Sequence, residues 1–182
     1  MKYIFPGITL VSIVFLVVSC GPKNQQPAEQ KEAAVVMAKA PDFNADSAYH
    51  YVQKQVDFGP RVPNTKAHLA CADYLIGSLK KSCDDVIVQE AKVRAFDGTT
   101  LNIRNIIGII NPEAAYRIML CAHWDTRPFA DHDPDPANYN KAISGANDGG
   151  SGTAVLLEIA RQLKLNDPGI GVDIILFDGE DY

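Results

Sequence analysis

Three short runs constrain this chain more than anything else in it: Asn105-Ile-Ile-Gly-Ile-Ile110, Arg117-Ile-Met-Leu-Cys-Ala122 and Val172-Asp-Ile-Ile-Leu-Phe177. Each is almost continuously apolar and rich in β-branched residues, the pattern of strands covered on both faces. Between the last two lies a helical pattern from about Ser151 to Leu165, with Val155, Ile159 and Leu163 on one face. Asp167-Pro168-Gly169 closes it. Strand, loop, helix, strand is a crossover unit, which predicts an α/β domain.

The upstream segments extend the same reading. A helix opens at Asn44 or Asp46 and runs to Asp57, where Phe58-Gly-Pro-Arg-Val-Pro63 stops it, since two prolines and a glycine forbid a helix or interior strand. Asn64 starts a second helix, with Cys71, Leu75 and Leu79 at helical spacing and Ala72 filling the stripe. His68 falls on that face and reads as a packed histidine, because no acid lies nearby in sequence; His50 reads likewise. Val86 to Val93 resembles a partly exposed strand, ended by the turn Phe96-Asp97-Gly98.

The first residues read as a leader. Lys2 precedes an apolar stretch from Tyr3 to Val18, which ends in Val17-Val18-Ser19-Cys20-Gly21. A charged start, a short apolar region and a small-residue cleavage site make a secretory signal over residues 1–19. Its end resembles the bacterial lipobox, which implies diacylation of Cys20 and a lipid anchor in the cell envelope, facing the periplasm or exterior. Residues 20–42, rich in Gln, Lys, Glu, Pro and Ala, read as a flexible tether, leaving 43–182 as the folded domain. The balance of 17 basic to 22 acidic residues, with no basic block, argues against a nucleic-acid partner. Cys71 and Cys83 would stand roughly 18 Å apart along one helix, too far for a disulfide. Cys121 reads as a small buried thiol.

Functional groups in such sheets gather beyond the carboxyl ends of the strands. One run leads into His123-Trp124-Asp125 and another into Asp178-Gly179-Glu180-Asp181. Asp148 enters from the glycine-rich turn Gly145-Ala-Asn-Asp-Gly-Gly-Ser-Gly152, at the mouth of a helix whose dipole favours an ionised carboxylate. Crowded carboxylates repel unless a cation or proton intervenes, and with His123 beside them zinc is the natural cation. Each turn alone is as readily a helix cap or a solvated loop. Competing motifs fail on particular positions. A calcium loop from Asp131 would need glycine at Pro136 and glutamate at Ala142. A serine elbow at Ser151 would need glycine at Thr153. The glycines lack the spacing and the lysine of a nucleotide loop.

Taken together, Cys121-Ala-His-Trp-Asp-Thr-Arg-Pro128, Gly145 to Gly152 and Leu176-Phe-Asp-Gly-Glu-Asp-Tyr182 resemble the zinc aminopeptidase and glutaminyl cyclase superfamily. Within it the chain is most similar to the bacterial lipoprotein-type glutaminyl-peptide cyclotransferases, and Asp57 to Thr65 resembles the segment entering their catalytic domain. The resemblance implies a three-layer sandwich with a mostly parallel central sheet covered by helices. It implies Asp148 and Asp181 as zinc ligands, Glu180 as general base and acid, His123 as a second-metal ligand or supporting group, and Asp125 as its orienting partner. Gly149-Gly150 departs from the Gly-Ala more usual there. The implied activity is cyclisation of N-terminal glutamine on peptides or proteins, with one zinc. The alternatives are a two-zinc aminopeptidase and an inactive, zinc-free fragment. The family continues past the position of Tyr182 and supplies a further metal-binding histidine, so the expectation is a fold incomplete at its C-terminus.

Overall fold

Asn44 caps the first helix, α1 (Ala45–Asp57), by accepting the Ser47 backbone N–H at 2.9 Å. In this computed structural model, which describes residues 40–182, the same residue also ties α1 to the rest of the domain. Its own N–H donates to the Glu158 carboxylate 3.1 Å away on the third helix. The leader expected over 1–19, the acylation expected at Cys20 and almost all of the expected tether lie outside the described residues.

Thr65, not Asn64, caps α2 (Lys66–Leu79); Asn64 sits just before it at φ 73, a left-handed conformation that asparagine tolerates. The chain then forms β1 (Asp85–Arg94), β2 (Thr100–Ile110), β3 (Arg117–His123), α3 (Gly150–Leu165) and β4 (Gly171–Phe177). A short 3-10 turn at Pro136–Asn138 interrupts the long β3–α3 connection. The strands form one sheet in the order β1-β2-β4-β3. β3 and β4 are parallel neighbours, with Cys121 opposite Ile175 and His123 opposite Phe177, as a crossover through α3 requires.

The α/β class holds, but these four strands are mixed rather than mostly parallel: β1–β2 and β2–β4 are antiparallel. The apolar runs report how strands are covered, and cover does not depend on direction. The core lies on one face, where Leu75 and Leu79 of α2 and Leu156, Leu157 and Ala160 of α3 meet Ile106, Ile110, Val172, Ile174 and Leu176. No described helix covers the opposite face. There, on the edge strand β3, Met119 is 60% exposed and Cys121 is open to solvent, so the buried-thiol expectation fails for it. Cys71 and Cys83 are buried and not bonded to each other, but Cys83 lies beyond the end of α2, so the two do not share the one helix that the spacing of roughly 18 Å assumed. Of the stripe expected on α3, Ile159 and Leu163 pack partly buried against the core but Val155 does not. Val155 is exposed, while Thr153, Ala154, Leu156, Leu157 and Glu158 are buried, because α3 packs against both α1 and the sheet.

Gly108 explains how closely α2 approaches the sheet. A Cβ there would stand 2.6 Å from Cys83 Sγ, so only glycine fits under the end of the helix.

Glu158 is the buried acid on which α1 and α3 converge. It accepts from Asn44 N, from Arg161 Nε and Nη2 at 2.7 and 2.8 Å, and from Gln162 Nε2 at 2.8 Å. The Arg161 pair, with the other donors and against the cost of burial, holds its carboxyl at about 2. A depressed acid contributes stability above its ordinary value near 4.5, and that contribution is lost as pH falls through about 2. Glu158→Gln leaves donors facing a donor. It is expected to lower unfolding free energy at neutral pH by about 1–3 kcal/mol and to flatten the acid limb of the stability curve, read by denaturant melts across that range.

Candidate active site

Backbone pairing continues past the ends of β3 and β4, where Trp124 N donates to Phe177 O at 2.9 Å. That bond sets the two strand-end turns side by side. The third segment is anchored by α3, whose Thr153 hydroxyl donates to His123 O at 2.9 Å. Gly149 opens that helix at φ 79, and a Cβ there would lie 2.7 Å from Asp125 O and 3.1 Å from His123 Cε1. The turn therefore needs glycine both for its conformation and for its closeness to the strand.

His123 is the hub of the rim. Its Nε2 lies 2.9 Å from Asp148 Oδ1, and its Nδ1 lies 3.6 Å from Asp125 Oδ1 and 3.8 Å from Glu180 Oε2. Asp125 is wholly buried and accepts the N–H groups of Glu180 and Asp181 at 3.2 and 3.1 Å, so one carboxylate fixes the acid-bearing turn and faces the imidazole. Asp148 and Glu180 keep most of their surface, with side chains 61% and 64% exposed.

Three acids within four residues leave the end of β4 in three directions, so the expected crowding does not occur. Asp178 turns into the core, where His68 Nε2 lies 2.9 and 2.8 Å from its two oxygens and Arg104 N donates to it at 2.6 Å. Glu180 faces His123. Asp181, its side chain 6% exposed, accepts from Arg127 N at 2.9 Å and Arg127 Nε at 3.1 Å. The structure thus brings His123, Asp125, Asp148 and Glu180 together and places Asp181 on the same turn but ion-paired to Arg127.

His68 is packed as the sequence suggests, but its acid partner and the role of Arg61 escape the sequence reading. His68 is fully buried and stacks on Trp124 with ring centroids 4.4 Å apart, and its acid partner lies 110 residues away. Arg61, read only as part of a helix stop, is buried beneath the rim. It donates to the carbonyls of Trp124, Ser144 and Gly145 at 3.0, 2.8 and 2.7 Å. Burial pushes its pKa down, while nearby Cys71 and Asp125 act the other way. Buried arginine within a Gly-Pro-Arg-Val-Pro segment has no local signature, because its partners are main-chain oxygens.

The donor set suits zinc in kind, being imidazole nitrogen and carboxylate oxygen. Two donors on one tetrahedral zinc, each at about 2.0–2.1 Å, stand roughly 3.3 Å apart; His123 Nε2 and Asp148 Oδ1 already lie near that separation. The His123 Nδ1 atom is buried without a hydrogen-bond partner. Among the described residues no three such side chains are arranged as a complete ligand set, since Asp181 is held by Arg127.

Asp125 is the main cause that pushes the His123 imidazole up to about 9, assisted by Asp148 and Glu180 and opposed by burial. The raised value makes the charged ring a stabilising group, fully so below the ordinary value of 6.5, and the contribution is lost as pH rises through about 9. Metal-free protein is expected to lose stability across that window, and His123→Asn to remove the loss. Denaturant melts at the two ends of the window check this; equal slopes in both proteins would exclude the imidazolium.

Residues 105–182 match peptidase family M28. Among solved structures, the chain is similar to the glutaminyl cyclase of Tannerella forsythia, with 58% identity and a TM-score of 0.77 over 78% of this chain and 49% of that one. It is also similar to a Zn-dependent exopeptidase from Parabacteroides distasonis, with 60% identity and a TM-score of 0.78 over 79% of this chain and 49% of that one. Among curated relatives, the glutaminyl-peptide cyclotransferase of Drosophila melanogaster is 30% identical over 67% of this chain and 33% of its own length. The chain thus spans about half of each of those solved structures and a third of the curated relative.

Proposed function

We propose that this chain, whose residues 105–182 match peptidase family M28, carries the rim of a zinc-dependent glutaminyl-peptide cyclotransferase. The observation that supports it most is the convergence of Asp148, Asp125 and Glu180 on His123 from three separate segments. The reaction closes an N-terminal glutamine on itself. The α-amine nitrogen bonds to the side-chain amide carbon, the bond from that carbon to the amide nitrogen breaks, and ammonia leaves.

Asp148 and Asp181 would hold the metal, with His123 beside them. Asp181 reaches that role by exchanging one of its contacts to Arg127. Zinc, when bound, supplies Lewis-acid polarisation of a carbonyl. Glu180, mostly exposed and steered by the Asp125 bond to its own N–H, takes the proton from the attacking amine and returns it to the departing nitrogen. Asp125 positions the turn and the imidazole without meeting substrate, being fully buried. A single zinc distinguishes this reading from a two-zinc aminopeptidase, in which His123 would bind the second ion and Glu180 would activate water.

Two variants test the assignment in the full protein. Glu180→Gln is expected to lower ammonia release from a Gln-initiated peptide by about 100-fold or more while zinc content, measured by elemental analysis, stays at one per chain. Asp148→Ala is expected to lose the metal itself. Retained activity in the first, or retained zinc in the second, would overturn the corresponding role. Two zinc ions per chain would turn the reading to the aminopeptidase.

The charged, apolar start and the Val17-Val18-Ser19-Cys20-Gly21 run support an envelope enzyme anchored through acylation of Cys20 and acting on peptide or protein N-termini there. Cys20→Ser is expected to abolish incorporation of labelled fatty acid and release the protein from the membrane fraction.

A further inference from the structure

Away from the rim, α1, α2 and α3 enclose a hollow of about 440 Å3. α3 starts at the rim with Gly150 and reaches the hollow with Arg161 and Lys164, which sets the two roughly 20 Å apart at about 1.5 Å per residue. Lys54 of α1, Lys81 just beyond α2, and Arg161 and Lys164 of α3 line it, together with the hydroxyls of Tyr51 and Ser82. Among the described residues no carboxylate lines it, in a chain where acids outnumber bases 22 to 17.

Arg161 is held from behind, with its Nε and Nη2 bonded to buried Glu158, so its guanidinium is fixed rather than free to swing out. Among the described residues Lys164 has only Asp84, at 3.8 Å, as an ionic neighbour. Cations near helix C-termini offset the helix dipole, which accounts for each lysine singly. It gives no reason for four cations from three helical segments to share one concavity with hydroxyl donors and no acid. Such a wall is matched by a ligand that is all acceptor and multiply negative, and lysine and arginine together are the usual phosphate-binding pair.

We propose that this hollow is a binding site for a phosphate-bearing polyanion. Its size exceeds a lone phosphate and falls within the range of small-molecule sites. The phosphate could belong to a soluble ester or to an anionic lipid headgroup, and the two sources are separable by experiment. The full chain carrying Cys20→Ser, which removes acylation as a cause of membrane binding, is titrated with inorganic pyrophosphate by calorimetry. It is also sedimented with phosphatidylcholine vesicles made with or without phosphatidylglycerol.

Pyrophosphate binding that weakens by about tenfold or more in Lys54→Gln/Lys81→Gln, equivalent to about 1.4 kcal/mol, supports the site with a soluble ligand. Binding only to the phosphatidylglycerol vesicles, lost in the same variant, supports it with a headgroup ligand. Lys164→Gln, made separately, is expected to weaken whichever probe binds, and circular dichroism checks that each variant stays folded. Absence of binding to both probes, or binding unchanged in folded variants, overturns the proposal. Zinc content and ammonia release are not expected to change in these variants, so the outcome is independent of the proposed cyclase activity.

Discussion

A buried guanidinium organises this domain. Among the described residues Arg61 has no carboxylate in direct contact; it spends its donors on the carbonyl oxygens of Trp124, Ser144 and Gly145, and its own carbonyl accepts Thr126 N at 3.3 Å. Withdrawing such a charge from water is costly unless its donors are satisfied. The loop after β3 and the loop before α3 are therefore drawn to one point, because each offers oxygens that the cation needs. Gly145 and Gly149 let the backbone approach that closely. The position of Asp148 relative to His123 follows from a residue that touches neither.

The turn after β4 is fixed by a complementary device. Buried Asp125 accepts two consecutive N–H groups from Glu180 and Asp181, while Asp178 is pinned in the core by His68 and Arg104 N. Trp124, stacked on His68 and donating to Arg104 O at 3.2 Å, joins the two arrangements. The acidic side chains near the rim thus divide into buried ones that hold backbone N–H groups, Asp125, Asp178 and Asp181, and the exposed pair Glu180 and Asp148.

This division marks where the sequence was legible. The apolar runs located β2, β3 and β4, and the turns that follow β3 and β4 located His123, Asp125, Glu180 and Asp181, because strand ends and their flanking polar residues are local signals. Strand direction was not local: β2 and β4 feed apolar side chains into one core whichever way they run. Nor was edge position, which exposes Met119 and Cys121 in a run as apolar as its neighbours. The phase of α3 was obscured because Thr153 and Glu158 are buried polar residues, and a hydrophobic stripe cannot count them. Arg61 and His68 were hidden for a related reason. Their partners are backbone oxygens and an acid 110 residues away, and neither leaves a mark at the residue's own position.

The charges around His123 give the rim a direction of need. Three carboxylates, from Asp125, Asp148 and Glu180, lie within 4 Å of its ring nitrogens, and the imidazole raised to about 9 supplies a single positive charge at neutral pH. Arg127 balances Asp181 but adds nothing to this group. Two negative charges are left over, and the two most exposed of these acids carry them at the surface, where water screens the repulsion. A divalent cation held by Asp148 would meet that surplus directly and compete with the imidazolium for the same carboxylate. The buried Asp125, which keeps the ring charged and in place, then sets how readily Asp148 is released to the metal.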